Sequence, residues 1–195
     1  MANGPKYRLS FRRLREGKTN YHRRLKLIQS RRNRLVIRAS NKNIVAQVIE
    51  SKLVGDHLLA QSYSKQLNKE FNWVFNSGNL PSAYLTGYLC GLRAKKTGIS
   101  DAILDVGILV HDNRVKAAFQ GFIDSGVEVP HDEKWFSEQE SRFNGEHIQE
   151  YAQLLEKDHP KEYKKQFSTT LKNKGDPTKI VASWEKIKAE MEKKV

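Results

Sequence analysis

Three aspartates and a dense set of arginines have the residue types and spacings that could do chemistry. Asp101 and Asp105 stand an even number of residues apart, so on a strand their side chains point the same way. With Asp112 they could hold Mg²⁺ for phosphodiester cleavage by a two-metal route. The competing reading is structural: a strand-end aspartate, and a buried one bonded to backbone or to a Lys or Arg. The histidines, His22, His57, His111, His131, His147 and His159, are scattered, and no pair has the spacing of a helical zinc site. Phosphate-loop, GxGxxG and GxSxG motifs are all absent. Cys90 is the single cysteine, which excludes an internal disulfide and a Cys-based zinc site. It sits among Leu89, Gly91 and Leu92 and reads as a small core residue. Asn79-Leu80-Pro81-Ser82 opens a helix; its free N–H groups could hold one phosphate, or it is an ordinary helix start.

The arginines carry a stronger signal. Of 35 Lys and Arg, fourteen lie in Met1–Lys42, opposed only by Glu16, so this stretch carries the whole formal net charge of +13. The remaining residues balance. A neutral body with a strongly basic arm is the electrostatic footprint of a nucleic-acid binder; a solvated tail or an anchor on acidic lipid is the alternative. Arg outnumbers Lys ten to four in this stretch. Its planar fork grips phosphate through two hydrogen bonds and stacks on exposed bases, where Lys offers a point charge. Tyr7, Phe11, Tyr21 and His22 are interleaved with the cations, as rings that stack on unpaired RNA bases would be. For Tyr21 a local core role is favoured, because it forms a helical stripe with Leu25 and Ile28.

These groups must be positioned by elements that the pattern also shows. At 195 residues, one main domain with extensions is expected. No apolar run approaches the roughly 20 residues needed to span a bilayer, and the basic N-terminus lacks the apolar stretch of a signal peptide. Residues 1–17 read as an extended arm, disordered until it meets a polyanion. Thr19 or Asn20 caps a helix to about Ser30, with Tyr21, Leu25 and Ile28 toward the body, Arg23 and Lys26 pointing away, and Arg24 and Arg31 on the flank. Strands are expected at Leu35–Ala39, at Ile44–Ile49 (apolar enough to be covered on both faces) and at His57–Tyr63, joined by short turns as an antiparallel meander.

A short helix over Leu67–Phe75 follows, then one over Ser82–Lys96 with Pro81 in its first turn. The ridge Ala83, Gly87, Gly91 and Ala94 suits close packing of that helix on a sheet. Ala102–Ile108 reads as a buried strand joining in parallel, and Arg114–Ser125 as a helix with Val115, Ala118, Phe119 and Phe122 inward. The fold class is α/β: a mixed sheet built β-β-β-α-β-α with packed helices, plus a basic N-terminal arm and a helical C-terminal extension. Three regions are expected: 1–33 as the RNA-binding arm and helix, 34–130 as the core, 131–195 as the extension. In that extension Val127–His159 carries nine acids against three bases. A helix over Ser141–Lys157 shows Ile148, Tyr151 and Leu155 on one face. Asp176-Pro177 starts a last helix with the stripe Ile180, Trp184, Ile187 and Met191, expected to dock on the parent domain or its acidic segment.

Several stretches resemble one family: GPKY at 4–7, TNYHRRLKL at 19–27, RLVIR at 34–38, SNK at 40–42, GNLPSAYLTG at 78–87, AILDVG at 102–107 and GEHIQEY at 145–151. Together they resemble the archaeal branch of the large-subunit ribosomal protein called L-eighteen in bacteria, relative of the eukaryotic cytoplasmic 5S-binding ribosomal protein. The resemblance implies a mixed-sheet α/β body and no enzymatic activity or cofactor. It implies a place in the central protuberance of the cytoplasmic large subunit, and 5S rRNA, the large rRNA and neighbouring large-subunit proteins as partners, with no membrane. It implies 5S contacts from the arm over Lys6–Lys26 and from the turn Ser40–Lys42. The candidate RNA-binding residues are therefore Lys6, Tyr7, Arg8, Phe11, Arg12, Arg13, Arg15, Lys18, Asn20, Tyr21, His22, Arg23, Arg24, Lys26, Arg31, Arg34, Ser40, Asn41 and Lys42. Leu109–Asn113 departs from the longer, Gly-containing loop usual in the family, and the chain beyond Tyr151 is the least similar part. Two rival readings stand beside a structural rRNA binder: an RNA-processing enzyme using Asp101, Asp105 and Asp112, and a non-ribosomal RNA chaperone.

Overall fold

A computed structural model describes residues 4–108, 112–136 and 140–195. Leu109, Val110 and His111, in the stretch Leu109–Asn113 noted above, lie outside that set. Arg12–Arg15 forms one turn, α1, so the arm is not extended throughout, and α2 follows at Tyr21–Gln29. Strands β1 (Arg34–Ala39), β2 (Ile44–Lys52), β3 (Gly55–Tyr63) and β4 (Ile103–Asp105) form one mixed sheet in the order β3-β2-β1-β4. β1 pairs antiparallel with β2 and parallel with β4, as the crossover through α4 (Leu80–Lys96) requires. Side chains alternate across the sheet. Leu35, Ile37, Ile44, Ala46 and Val48 are buried toward the helices, while Val45, Gln47 and Ile49 are half-buried on the other face. β2 is thus covered fully on one face only, against the expectation from its apolar run.

Before α4 comes α3 (Ser64–Phe71), shifted earlier than expected because Asn72 ends it in the left-handed conformation (φ 55°). α4 starts on Asn79, whose Oδ1 accepts from Ser82 N at 3.0 Å, so its first N–H groups have a protein partner. The expected strand over Ala102–Ile108 shortens to three residues. α5 (Asn113–Asp124) starts on Asp112, whose Oδ1 accepts from Arg114 N, and it buries Val115, Ala118, Phe119 and Phe122 as expected. The helix expected over Ser141–Lys157 is broken into α6 (Glu140–Phe143) and α7 (Glu146–Asp158), because Gly145 sits at φ 93°. Two helices that the sequence pattern did not show follow, α8 (Pro160–Gln166) and α9 (Ser168–Lys172), then α10 (Ile180–Lys194).

The small-residue ridge of α4 serves a helix, not the sheet. A Cβ at Gly87 would overlap the carbonyl oxygen of Ala118, and one at Gly121 that of Tyr84. Each helix therefore presents a glycine to the other's backbone, which brings α4 and α5 closer than side chains permit. Gly87→Ala must push backbone rather than a side-chain tip. We expect a loss near the upper end of about 1–3 kcal/mol, read as a fall in melting temperature; an unchanged value would refute the close crossing.

α10 docks on the body. Ile180, Ile187 and Met191 are buried, and Trp184 packs at 5.0 Å from the Tyr84 ring. Lys188 Nζ donates to Tyr84 Oη at 3.0 Å and stands over the Tyr84, Tyr88 and Trp184 rings, while Tyr88 Oη donates to Glu192 Oε1 at 2.6 Å. Tyr84 Oη in turn donates to Asp124 Oδ2; burial, with Asp124 for Tyr84 and Glu192 for Tyr88, raises the pKa of both tyrosines, so their hydroxyls stay protonated as donors. The expected docking on the parent domain is what the chain adopts.

Candidate nucleic-acid interface

α2 starts at Asn20, whose Oδ1 accepts from Arg23 N at 3.1 Å, so the cap is Asn20 rather than Thr19. Its inward face is not the expected apolar stripe. Tyr21, Arg24, Leu27 and Ile28 are half-buried, whereas Leu25 is 54 % exposed. Cations make its side-chain hydrogen bonds to the sheet and the turn after it. Arg24 Nη2 donates to Asp56 Oδ2 at 2.8 Å, and Arg23 Nη1 to the Gly107 carbonyl at 3.3 Å. Arg23, expected to point away, is turned toward the end of β4. Tyr21 does keep a local partner: its ring centroid is 5.3 Å from that of Phe11, and this pair ties the arm to the helix.

Beneath α2 lies a charged floor. Asp105 pairs in register with Val36, so Arg34 and Arg38 flank it on the same sheet face. Arg34 Nη1 donates to Asp105 Oδ2 at 2.9 Å, and Arg38 Nη2 to Asp105 Oδ1 at 3.1 Å. Gly107 N adds a bond to Oδ1 at 3.0 Å. Arg34 Nε also donates to Ser51 Oγ, and its Nη2 lies 2.8 Å from Asp56 Oδ1 as an ion pair without hydrogen-bond alignment. The Arg34 side chain is 1 % exposed. It is therefore withdrawn from the RNA-facing set: its guanidinium is enclosed and engaged. Burial alone would raise the Asp56 pKa, but the close guanidinium groups of Arg34 and Arg24 outweigh it and hold the carboxyl below its ordinary value of 3.8.

Above this floor the cations converge. Arg13, Lys18, Arg23, Arg24 and Arg38 line one cleft of about 90 Å³ with Thr19, Asn20 and Gly107, and Asp105 is the one acid among them. Arg13 is set by a bond from its Nε to Thr19 Oγ1 at 2.9 Å. Lys18 pairs with Glu16 at 2.8 Å. Outside the cleft lining, Lys6, Tyr7, Arg8, Phe11, Arg12 and Arg15 on the arm, and His22, Lys26 and Arg31 on α2 and its end, are exposed.

The turn Ser40–Lys42 is also exposed and is braced from behind. Ser77 Oγ donates to the Lys42 carbonyl at 3.0 Å, and Arg114 Nη1 to the Ser40 carbonyl at 2.6 Å. Asp112 accepts from Arg114 Nη2 at 2.8 Å; burial pushes the Asp112 pKa up, and the Arg114 bonds bring it down past its ordinary value. Sequence reasoning missed Arg38 and Arg114. For Arg38 the signal was available in principle, since Arg34 and Arg38 share one strand face; for Arg114 none was local.

The three aspartates are not brought together. Asp101 lies 3.9 Å from Arg32, Asp105 is held by Arg34 and Arg38, and Asp112 by Arg114. Among the described residues no group of three or more His, Cys, Asp or Glu could hold a metal ion. Their structural reading stands. Cys90 is buried, which pushes its thiol up to about 12 and keeps it inert. No helix among the described residues is long and apolar enough to cross a membrane.

Residues 5–102 match the family model described as ribosomal large subunit proteins 60S L5 and 50S L18. The chain is 42 % identical to the large ribosomal subunit protein uL18 of Methanothermobacter thermautotrophicus, with all of both chains covered. It is 41 % identical to the uL18 protein of Aeropyrum pernix over 98 % of this chain and 90 % of that one, and 42 % identical to that of Korarchaeum cryptofilum over 96 % and 95 %.

Proposed function

The chain belongs to the family of ribosomal large subunit proteins 60S L5 and 50S L18, and from that premise we propose that it binds 5S rRNA and attaches it to the large rRNA in the central protuberance. Like its relatives it is a structural protein of the large ribosomal subunit in the cytoplasm, in contact with rRNA and neighbouring ribosomal proteins, and not an enzyme.

The observation that carries the RNA reading is the convergence of Arg13, Lys18, Arg23, Arg24 and Arg38 on one cleft. Like charges held this close repel, and an RNA phosphate relieves that repulsion while accepting charge-assisted hydrogen bonds. Burying Asp105 beneath them fixes Arg38 in place, so the cleft is formed before RNA arrives. The exposed rings of Tyr7 and Phe11 on the arm are open to stack on unpaired bases. The exposed outer face of α2, with His22, Lys26 and Arg31, and the turn Ser40–Lys42 supply further contacts.

The test is filter binding of the full chain to 5S rRNA and to a control RNA of equal length at one salt concentration. The double reversal Arg13→Glu, Lys18→Glu alters only exposed side chains, so folding should be retained. It should weaken 5S binding by at least about tenfold. Equal affinity for both RNAs, or an unaffected double variant, would refute the reading.

A further inference from the structure

The sheet face that carries Arg34, Arg38 and Asp105 is covered on one half only. α2 lies over the β1–β4 half. The β2–β3 half carries Val45, Gln47, Gln61 and Tyr63, none of them buried. Register joins this open half to the cationic cleft. Arg38 pairs with Val45, and Val45 with Tyr63, so the three side chains stand in one row across the sheet. Val36, Gln47 and Gln61 form the next row. Neighbouring strands lie about 4.8 Å apart, which puts Tyr63 about 10 Å from Arg38, a residue of the cleft lining. On the other side of the row, one residue pair, Ala39 and Ile44, separates it from the turn Ser40–Lys42.

The chemistry of these rows selects a ligand class. The paired stretches Arg34–Ala39, Ile44–Ile49 and Leu58–Tyr63 contain no Asp or Glu. Cations border the row at both ends: Arg38, with a side chain 43 % exposed, and Lys65, whose Nζ stands 6.0 Å from the Tyr63 ring centroid. Gln47 Nε2 donates to Gln61 Oε1 at a long 3.5 Å, and Gln47 Oε1 and Gln61 Nε2 have no partner among the described residues. The rows therefore offer a ring, one free amide acceptor and one free amide donor between two cations. A protein partner would need a broader apolar core, and Val45 is the one aliphatic side chain of the two rows that is not buried. A bare phosphate would use the cations and leave the ring and amides idle. Duplex RNA keeps its bases stacked inside and would do the same. An unpaired base uses every group: its face stacks on the ring, its edge meets the amides, and its phosphates meet the bordering cations.

We propose that the open half of the sheet receives one unpaired base of the 5S rRNA held by the cleft, stacked on Tyr63 and read by Gln47 and Gln61. The inference rests on the RNA-binding reading above and deepens it: the arm and the cleft hold phosphates, whereas the sheet face holds a base.

The test is filter binding of the full chain to 5S rRNA over a salt series, with the complex probed by dimethyl sulfate and a carbodiimide. Tyr63→Leu removes the ring and should lower affinity by about tenfold. The log–log salt slope should stay unchanged, because stacking releases no counterion. Tyr63→Phe keeps the stacking face and should bind like the parent. The double variant Gln47→Ala, Gln61→Ala should lower affinity by at least about threefold. One base, unreactive in the parent complex, should become reactive in both Tyr63→Leu and the glutamine variant. Melting temperatures check folding; if Tyr63→Leu is destabilised, the glutamine variant, which alters side chains that reach solvent, decides. Parental affinity and unchanged base reactivity in these variants, while Arg13→Glu, Lys18→Glu still weakens binding, overturns the base site and leaves the cleft standing. If Arg13→Glu, Lys18→Glu is also without effect, the RNA-binding reading falls with it. A flattened salt slope in Tyr63→Leu would show that the ring only places phosphate contacts, and overturns the proposal. So does a protein cross-linked to Tyr63 in the assembled subunit with no change in base reactivity.

Discussion

Asp105→Ala should destabilise the folded chain by about 3 kcal/mol or more, because it takes from the enclosed Arg34 guanidinium its aligned carboxylate and leaves only the unaligned contact with Asp56. The cost is not that of a surface ion pair, which is worth at most about 1 kcal/mol. Arg34 is 1 % exposed, and water cannot replace the carboxylate where no water reaches. Arg38 and the Gly107 N–H lose the same acceptor, so the floor beneath α2 loosens with it. For a chain of this size the melting temperature should fall by roughly 6–20 °C. Asp105→Asn keeps an acceptor for Gly107 N–H and should fall between the two. Acid should weaken the same floor through Asp56. Its pKa is depressed on folding, so its contribution is full above 3.8 and is lost as the pH falls through the lowered folded value. An unchanged melting temperature in Asp105→Ala, joined to loss of a Mg²⁺-dependent cleavage, would instead revive the catalytic reading of the aspartates.

The same network shows where local pattern stops being informative. The β1–β2 hairpin was legible from branched residues around Asn41-Lys42-Asn43, and α4 from Pro81 and its apolar run. The parallel placement of β4 followed from one crossover, and the stripe Ile180, Ile187 and Met191 of α10 from helical spacing. Arg34 read as one more RNA-facing cation because its partner lies 71 positions away in sequence. The inward turn of Arg23 and Arg24 was hidden for the same reason: their acceptors, Gly107 just after β4 and Asp56 in β3, lie far away in sequence. α8 and α9 escaped notice because they lack a regular apolar stripe and bury only Thr170 between them. The cationic cleft was foreseen as a charge excess, but its shape depends on which cations the fold retains and which it releases.

That division makes the arm separable from the body. Residues 4–17 are exposed throughout and bury nothing in the core. Deleting residues 1–17 should therefore leave the melting temperature essentially unchanged while removing Lys6, Arg8, Arg12, Arg13 and Arg15 from the RNA interface. Each phosphate contact releases counterion on binding, and the log–log dependence of affinity on salt steepens by about 0.7–0.9 per contact. If all five cations reach phosphate, the deletion flattens that slope by roughly 3.5–4.5 and lowers 5S rRNA affinity by about 10³ at moderate salt. Arg23, Arg24 and Arg38 remain, so a weaker, less salt-sensitive binding should persist rather than vanish. Deleting residues 176–195 is the counterpart. It strips the α10 contacts with Tyr84 and Tyr88 and should lower the melting temperature, with little effect on the salt slope. A truncated arm that binds 5S rRNA as tightly and with the same slope as the intact chain would show that the charge excess of the first forty-two residues does not drive recognition.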